Sequence, residues 1–452
     1  MPSARRVLPQ AMDAMFGPRF GSVRERWGDV GGSLATGRGG RHGARHNQDV
    51  RWDAAAGGAG GSRVNTRRDL NLLSAASAVA ITGWSMLTLL LPLLALRFGV
   101  DAGGIGLLVA GAAVLPLFLA VPIGTAVDRW GARRVMLLGF AGTVAALLPM
   151  VALPSLAWLV VAFVAGSALQ NGFIIGAQAL IAALGAEGRG REAAYGWWTT
   201  AMAAGQVVGP IVAGVLLDTW GVRPAFVGVA ASFAVAVALM LAVRSRGRAE
   251  AYVPPFRWRA AAGLLRDRTV GIAILTSTAA VWAMTIHATF LPVHLESLAM
   301  SAATIGAILS LRSAAAVVIR PVMPQVVALL GGRERTVVYT LAALALALAG
   351  VVASPSPWLI GLWVALFGAG HGLSQPISMV MVADRVAARE RGAALGMRLM
   401  LNRLSQVLAP IALAWIAGGV GLPTMFLAHA ALVAVAAFVL WTWTRRPVAA
   451  EP

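Results

Sequence analysis

The sequence predicts an all-α integral membrane protein with twelve transmembrane helices in two pseudo-symmetric six-helix halves. The prediction rests on composition, on the number of long apolar runs and on an internal repeat. Of the 452 residues, 58% are hydrophobic and 12% are charged, whereas a soluble domain carries about 25% charged residues. A soluble chain of this length would divide into domains that each need a charged surface. The composition therefore excludes that class.

A Gly/Arg-rich leader precedes the first apolar run. Residues 1–68 contain twelve arginines and five acidic residues, a net charge of +7, and lack the apolar core of a signal peptide. We predict that residues 1–69 form a disordered, basic cytoplasmic leader. A misplaced start codon upstream of Met12 or Met15 is the alternative. Aromatic interleaving of the kind that stacks on bases is absent, so no nucleic-acid partner is expected.

Twelve apolar runs follow, each long enough to cross about 30 Å of hydrocarbon as a helix of about 20 residues. The longest interruption is a predicted cytoplasmic linker, residues 244–268. It separates an N-terminal half, residues 70–243, from a C-terminal half, residues 269–446, and residues 447–452 form a tail. The predicted helices span 71–97, 103–127, 133–153, 156–184, 195–217, 223–243, 270–296, 302–324, 336–353, 357–384, 393–418 and 423–443.

Arginines are concentrated in alternate loops. One set of loops, with the tail, holds nineteen arginines, and the opposite set holds Arg97 and Arg223. Because positive residues are retained on the cytoplasmic side, both termini and the linker are predicted to be cytoplasmic in a multi-pass protein of the plasma (inner) membrane.

The two halves repeat each other at an offset of 200 residues. Residues 189–196 align with 389–396 and residues 206–211 with 406–411, with nine identities over 189–214. Six helices are an even number, so both halves have the same membrane orientation and form a parallel repeat. The central cavity is expected between the halves.

The loop between the second and third helices carries a motif, here called the loop motif, with Gly124, Asp128, Arg129, Gly131, Arg133 and Arg134. It resembles the signature of the major facilitator superfamily (MFS) of transporters, and the resemblance covers about residues 70–446. The resemblance implies the MFS fold, transport by alternating access, and a gating role in which this loop latches the outward-facing state. Simple topology anchors are the alternative. The second half keeps Gly331 and Arg333 but has Ala328 in place of the Asp, so its latch is predicted to be degenerate.

A second motif, here called the Gly-Pro motif, lies in the fifth helix and contains Gly205, Gly209, Pro210 and Gly214. It resembles the gating motif of the family's antiporters, which are exporters of drugs and other small molecules. Close helix packing alone could also require these residues. The resemblance implies an efflux permease, and an uptake permease for an organic anion is the alternative. Drug exporters of the family often have an Arg in the fourth helix and an acid in the first, and this sequence has neither in its predicted spans.

Two arginines are predicted near the membrane midplane, Arg312 in the eighth helix and Arg403 in the eleventh. A central Arg is a functional hypothesis by default. No Asp or Glu lies at that depth, so the cavity should favour an anionic or carboxylate-bearing substrate; pairing of the arginines with backbone carbonyls is the alternative. Arg320 and Arg398 lie nearer the cytoplasmic ends and are expected to snorkel.

Polar residues in the fourth, seventh, tenth and eleventh helices complete the predicted substrate site. In the tenth helix, His371 and Gln375 share a face with Ser374 and Ser378. Interhelical hydrogen bonding is the alternative for such residues. His371 is the candidate for proton coupling. The predicted substrate-binding residues are Arg312, Arg403, Asn402, Gln406, His371, Gln375, Trp282, Gln170 and Asn171.

Enzyme chemistry is not expected. Catalytic carboxylates, a Ser/His dyad or metal ligands would have to gather at one depth, and His287, His294, His371 and His429 are scattered singly. We expect no catalytic residue, no metal and no cofactor, and regard a polytopic enzyme or a non-transporting sensor as less favoured. The expected partners are a small-molecule substrate, protons as the coupling ion and the lipid bilayer, and we expect a monomer.

Overall fold

The computed structural model describes residues 59–184, 190–244, 263, 267–354, 356–386 and 391–445. Its ordered elements in these ranges are helices, with no strand among them. Most of the predicted leader (1–58), most of the linker (245–262 and 264–266) and residues 446–452 lie outside the described residues.

The N-terminal half contains six helices. Helix α1 begins at Ala59, so residues 59–69, which the sequence analysis assigned to the leader, are helical. Hydropathy marks the membrane-crossing part of a helix and not its end. The Asp69 carboxylate accepts hydrogen bonds from the Arg244 backbone N at 3.2 and 3.3 Å, which joins α1 to the end of α6. The helices are α1 (Ala59–Arg97), α2 (Ala102–Trp130), α3 (Ala132–Ala152), α4 (Leu156–Leu184), α5 (Gly190–Trp220) and α6 (Val222–Ala242).

The C-terminal half has the same order of helices with one break. The predicted continuous eighth helix, residues 302–324, is wrong, because α8a ends at Val318 and the chain bends by 77° into α8b. Pro321 has no backbone N–H and disfavours helical geometry in the residue before it, which accounts for the break. The helices are α7 (Arg268–Ser297), α8a (Ala302–Val318), α8b (Met323–Leu329), α9 (Arg333–Ala353), α10 (Pro357–Arg385), α11 (Arg391–Val420) and α12 (Leu422–Arg445).

Nine of the helices in the described ranges are long and apolar enough to cross a membrane, and α8a with α8b would make a tenth. Helices α10 and α11 have sufficient length, 29 and 30 residues, but are not among them. These two helices carry His371, Gln375, Arg398, Asn402 and Arg403, and such residues lower the mean hydropathy. The twelve-helix, all-α membrane fold predicted from the sequence is confirmed.

The turns show the symmetry of the halves directly. Left-handed backbone occurs at Gly99 and Ala299 (φ 83° and 57°), at Gly131 and Gly331 (84° and 80°), and at Gly221 and Gly421 (83° and 85°). Each pair is separated by 200 residues. The repeat detected in the fifth and eleventh helices therefore extends through both halves.

The halves meet mainly through two equivalent helix pairs, α2 with α11 and α5 with α8a. A Cβ built on Gly106 would lie 2.9 Å from the Pro410 carbonyl oxygen, and one on Gly306 would collide with the Pro210 carbonyl oxygen. These two contacts are also related by the offset of 200 residues. We call them, with Gly214 against Ala302, the inter-half contacts.

The inter-half contacts lie towards one face of the bundle. We call this the far face, where α1 ends and α2 begins, and the other the basic face, where α2 ends and α3 begins. At the far face, the Asp218 carboxylate accepts from the backbone N of Ala302 and Ala303 (3.1 and 2.7 Å). Arg97 and Glu296 form an ion pair across the halves at 3.5 Å. The conformation is therefore closed at the far face.

Candidate functional site

A cavity of about 250 Å³ lies between the two halves. Helices α1, α4 and α5 form one wall, and α7 and α8a form the other. Arg312 is the only charged residue among the described residues of this lining. The lining consists of Ile81, Trp84, Ser85, Thr88, Leu89, Gln170, Gln206, Pro210, Met284, Ala288, Leu309, Arg312 and Ser313.

The structure places two of the nine predicted substrate-binding residues in this lining, Arg312 and Gln170. Sequence reasoning missed Trp84, Thr88 and Gln206. A detectable signal existed in α1, because Ile81, Trp84, Ser85 and Thr88 follow the i, i+3, i+4, i+7 spacing of a helix face. The predicted residues outside this lining are Asn171, Trp282, His371, Gln375, Asn402, Arg403 and Gln406.

The rings of His287, Phe367 and His371 lie in a row next to Arg312. Its Nη1 atom lies 3.4 Å from Nδ1 of His287. The His287 ring stacks on Phe367 with a centroid distance of 4.2 Å, and the Phe367 ring is nearly parallel to His371 at 6.5 Å. The expectation that these histidines stand singly is therefore wrong for His287 and His371, which helix packing brings together around one Phe. Neither His287 Nε2 nor His371 Nδ1 has a hydrogen-bond partner among the described residues.

Arg398 forms the centre of a buried polar network in the C-terminal half. It is only 6% exposed and donates to Ser378 Oγ (3.0 and 3.2 Å), to the Gln375 carbonyl oxygen (3.0 Å) and to Gln375 Oε1 (2.7 Å). Ser277 Oγ bonds to Gln375 Oε1 at 3.2 Å and is within 3.0 Å of Asn402. The expectation that Arg398 snorkels is wrong, because hydrogen bonds satisfy its guanidinium inside the bundle. Gln375 and Asn402 thus join α7, α10 and α11.

Arg403 makes a polar contact between the halves. Its Nη1 donates to Gln406 Oε1 at 3.1 Å, and its Nη2 donates to Asn171 Oδ1 at 3.4 Å. Asn171 Nδ2 in turn donates to the Pro116 carbonyl oxygen at 2.9 Å. Arg403 and Arg312 therefore have different partners on different helices, and only Arg312 lines the cavity.

Trp282, the remaining aromatic candidate, is half-buried in α7. Its Nε1 atom is buried and has no hydrogen-bond partner among the described residues. It packs against the apolar core.

The loop motif has two kinds of residue in this conformation. Arg133 donates to the carbonyl oxygens of Met240 (3.1 Å) and Leu241 (2.8 Å), so it binds the end of α6. Gly131 ends α2 with φ 84°, which a residue without a side chain adopts freely. Asp128, Arg129 and Arg134 are exposed and form no hydrogen bond or ion pair with the described residues. A Cβ at Gly124 would meet open space.

The equivalent region of the C-terminal half does contain ion pairs. Arg333 pairs with Asp384 at 2.6 Å, and Arg385 pairs with Asp267 at 2.7 Å. Position 328, equivalent to Asp128, is Ala, and the carboxylate that pairs with Arg333 is that of Asp384 at the end of α10. Arg333, Asp384 and Arg385 belong to the C-terminal half, and Asp267 directly precedes its first helix.

The Gly-Pro motif serves two packing contacts. A Cβ at Gly209 would lie 2.6 Å from Ser85 Cβ and from the Thr82 carbonyl oxygen, and one at Gly205 would collide with the Ala78 carbonyl oxygen. These contacts join α5 to α1 within one half. Gly214, by contrast, abuts the Ala302 carbonyl oxygen and belongs to the inter-half contacts.

Comparison with known proteins supplies the family. The sequence model of the Major Facilitator Superfamily matches residues 73–296 and 273–452. "Multidrug resistance protein MdtG" of Dickeya zeae is 26% identical over 347 residues, which cover 72% of this chain and 80% of that protein. The protein of the same name from Citrobacter koseri is 24% identical over 397 residues, covering 85% and 96%.

The fold also resembles solved structures. The crystal structure of the nucleoside transporter NupG matches with a TM-score of 0.69 and 16% sequence identity, covering 84% of this chain and 99% of that one. At this identity the likeness concerns the fold alone.

Proposed function

We propose a substrate class and a transport direction for this chain, which belongs to the Major Facilitator Superfamily and is a multi-pass membrane transporter rather than an enzyme. The proposal is export of small organic anions from a bacterial inner membrane, in exchange for protons. The observation that carries it is Arg312 in the cavity between the halves.

The cavity lining determines the substrate class. Arg312 is the single cation among the described residues of the lining, and the described carboxylates lie at the basic or far face, away from it. A guanidinium binds a carboxylate, phosphate or sulfonate with two parallel hydrogen bonds. Trp84, Met284 and Leu309 provide apolar surface in the same cavity. An amphipathic organic anion with an apolar or aromatic body fits this combination.

Export is the proposed direction. The Gly-Pro motif resembles that of antiporters, and Pro210 and Gly214 belong to the inter-half contacts, which must separate when the far face opens. The names of the MdtG relatives refer to multidrug resistance, and they support efflux at 24–26% identity. Uptake of an organic anion is the second candidate, because the charge of the cavity favours an anion without setting a direction.

Orientation and coupling complete the proposal. Positive residues are retained in the cytoplasm, so we assign the basic face and both termini to the cytoplasmic side; the conformation described would then be inward-facing. We assign proton binding to His287 and His371, because these imidazoles stand behind Arg312 and the described carboxylates lie at the two faces.

Transport into proteoliposomes under an imposed pH gradient of either sign tests the proposal. Organic anions, cations and neutral compounds of matched size form the panel. We expect anion transport that falls at least tenfold in Arg312→Ala and partly in Arg312→Lys, because Lys cannot reproduce the bidentate geometry. Arg223→Ala, which removes an exposed Arg at the far face, is the charge-matched control.

The outcomes separate the candidates. Anion movement opposite to the direction of proton flow supports export in exchange for protons. Anion movement in the same direction as proton flow supports uptake. Transport of a neutral or cationic compound that survives Arg312→Ala would contradict the substrate class.

A further inference from the structure

A polar cavity outside the transport pathway lies between α9 and α12 at the basic face. It has a volume of about 530 Å³. Two arginines, a Tyr and a Trp contribute hydrogen-bond donors to it, and the Thr444 hydroxyl donates to the Trp441 carbonyl oxygen within α12. Its lining consists of Arg335, Val338, Tyr339, Trp441, Thr444 and Arg445.

The described carboxylates do not neutralise the two arginines of this cavity. The neighbouring charges are engaged elsewhere, since Arg333 pairs with Asp384 and Glu334 pairs with Arg268 at 3.6 Å. Neither Arg335 nor Arg445 forms an ion pair with a carboxylate in the part of the chain that the structure describes. The Arg445 guanidinium lies 3.8 Å from the centre of the Trp441 ring, which holds it beside the cavity. The cavity is therefore complementary to an anion.

An apolar groove of about 440 Å³ is formed by the same two helices. Its walls are mostly alanines, which leave a trough where larger side chains would fill the space. Along α9 the lining of the polar cavity and of the groove follows one helix face, and the rise from Arg335 to Ala349 is about 21 Å. This length corresponds to a lipid headgroup and most of one leaflet. The groove is lined by Ala342, Ala345, Leu346, Ala349, Leu427, Ala430, Ala431, Ala434 and Ala437.

We propose that α9 and α12 bind one anionic phospholipid. The headgroup phosphate binds between Arg335 and Arg445, and an acyl chain occupies the alanine groove. The combination argues for a lipid, because a free phosphate would need the cationic end alone and a neutral hydrocarbon would need the groove alone. Arg and Trp at the end of a membrane helix are also suited to the headgroup region.

The pseudo-equivalent surface of the N-terminal half provides an internal contrast. At the positions equivalent to Arg335 and Trp441, helices α3 and α6 have Val135 and Leu241. The backbone symmetry therefore repeats the helix pair without repeating the anion-binding residues. The lipid site is specific to the C-terminal half.

Native mass spectrometry of the full-length protein, titrated with phosphatidylglycerol or phosphatidylethanolamine of the same acyl chains, tests the proposal. We expect tighter binding of phosphatidylglycerol, and a loss of about fivefold for each arginine removed, hence about 25-fold in Arg335→Gln/Arg445→Gln. Arg223→Gln/Arg244→Gln removes the same charge from exposed positions outside the cavity and should leave binding unchanged.

A second pair of variants tests the groove without changing charge. Ala434→Trp fills the groove and should weaken binding of phosphatidylglycerol at least fivefold. Leu432→Trp, at an exposed position of α12 outside the groove, should have no such effect. This arm keeps the test decisive if the double Arg variant fails to fold.

Three results would overturn the proposal. The first is equal affinity of the wild-type protein for the two lipids, and the second is unchanged phosphatidylglycerol binding in both the Arg and the Trp variants. The third is binding of inorganic phosphate as tight as that of phosphatidylglycerol, which would assign the cationic end to a free anion.

Discussion

The N-terminal and C-terminal halves have the same backbone plan and different interiors. Three left-handed turns and the contacts of Gly106 with Pro410 and of Gly306 with Pro210 recur at an offset of 200 residues. At the positions equivalent to Arg312 and His287, however, the N-terminal half has Ala112 and Leu87. The symmetry thus concerns helix packing, and the charge of the described cavity lining comes from the C-terminal half.

The N-terminal half uses its polar side chains to join helices through the backbone. Ser167 Oγ donates to the Ala112 carbonyl oxygen at 3.0 Å. That oxygen lacks its usual helical donor because the residue four positions later is Pro116. In the C-terminal half the position equivalent to Ser167 is Phe367, which stacks on His287. The comparison teaches that one half supplies a neutral, well-packed wall and the other supplies the charged residue of the described cavity lining.

The largest expected effect comes from a substitution at one of the two symmetry-related inter-half contacts. Gly306→Val places a side chain against the Pro210 carbonyl oxygen and should prevent closure of the far face. An overpacking penalty of about 1–3 kcal/mol confined to the closed state would reduce turnover roughly 5- to 140-fold. Transport in proteoliposomes measures it. Gly111→Val, where a Cβ would meet nothing within 4 Å, is the matched control; equal activity of the two variants would refute the assigned contact.

The next largest effect concerns the free energy of unfolding that the buried hydrogen bonds of Arg398 and of Trp198 contribute. Arg398→Ala leaves Ser378 and Gln375 without their guanidinium donor and should lower the free energy of unfolding by about 3 kcal/mol. At the equivalent position Trp198 donates to Ser77 Oγ at 2.9 Å, and Trp198→Phe should lose only about 1 kcal/mol. Unfolding in detergent by heat or denaturant gives both values. A loss in Trp198→Phe equal to that in Arg398→Ala would show that the networks are energetically alike.

A third, smaller effect distinguishes the roles of Asp128 and Arg133 in the loop motif by measuring transport and melting temperature. Asp128→Asn should reduce transport roughly tenfold, about one charge-assisted hydrogen bond, while leaving the melting temperature unchanged. The melting temperature should not change because Asp128 is exposed and unpaired among the described residues of this conformation. Arg133→Ala should instead lower the melting temperature, because Arg133 binds the end of α6 here. If Asp128→Asn transports normally, the motif acts only as a topology anchor.

The smallest expected effect concerns the stability contributed by side-chain hydrogen bonds to the backbone in the N-terminal half. Ser167→Ala removes the donor to the Ala112 carbonyl oxygen and should lower stability by about 1 kcal/mol. Thr200→Ala is the control, because that hydroxyl bonds only to Gly196 of its own helix, at 2.8 Å. An equal change in the two variants would mean that the contact between α2 and α4 contributes nothing beyond the loss of a hydroxyl.

Hydropathy and internal repetition were enough to predict the twelve helices and the two halves, and the loop and Gly-Pro motifs carried the resemblance to the family. These features depend on local composition and on spacing along the chain, which are readable without neighbours. The end of α8a at Val318 was also encoded, in Pro321, although a hydropathy pattern that continues through the proline concealed it. Similarly, apolar character alone could not show that α1 begins at Ala59.

Only the tertiary structure determined which face of each helix contacts which neighbouring helix. Arg398 and Arg403 lie five residues apart in α11, yet one is buried in a network with α10 and the other contacts Asn171 of α4. In a helix surrounded by protein on several sides, polar residues occur on more than one face, so periodicity cannot identify which face lines the cavity. The selection of Arg312 for the cavity, and its contact with His287, follow from how α7, α8a and α10 pack together.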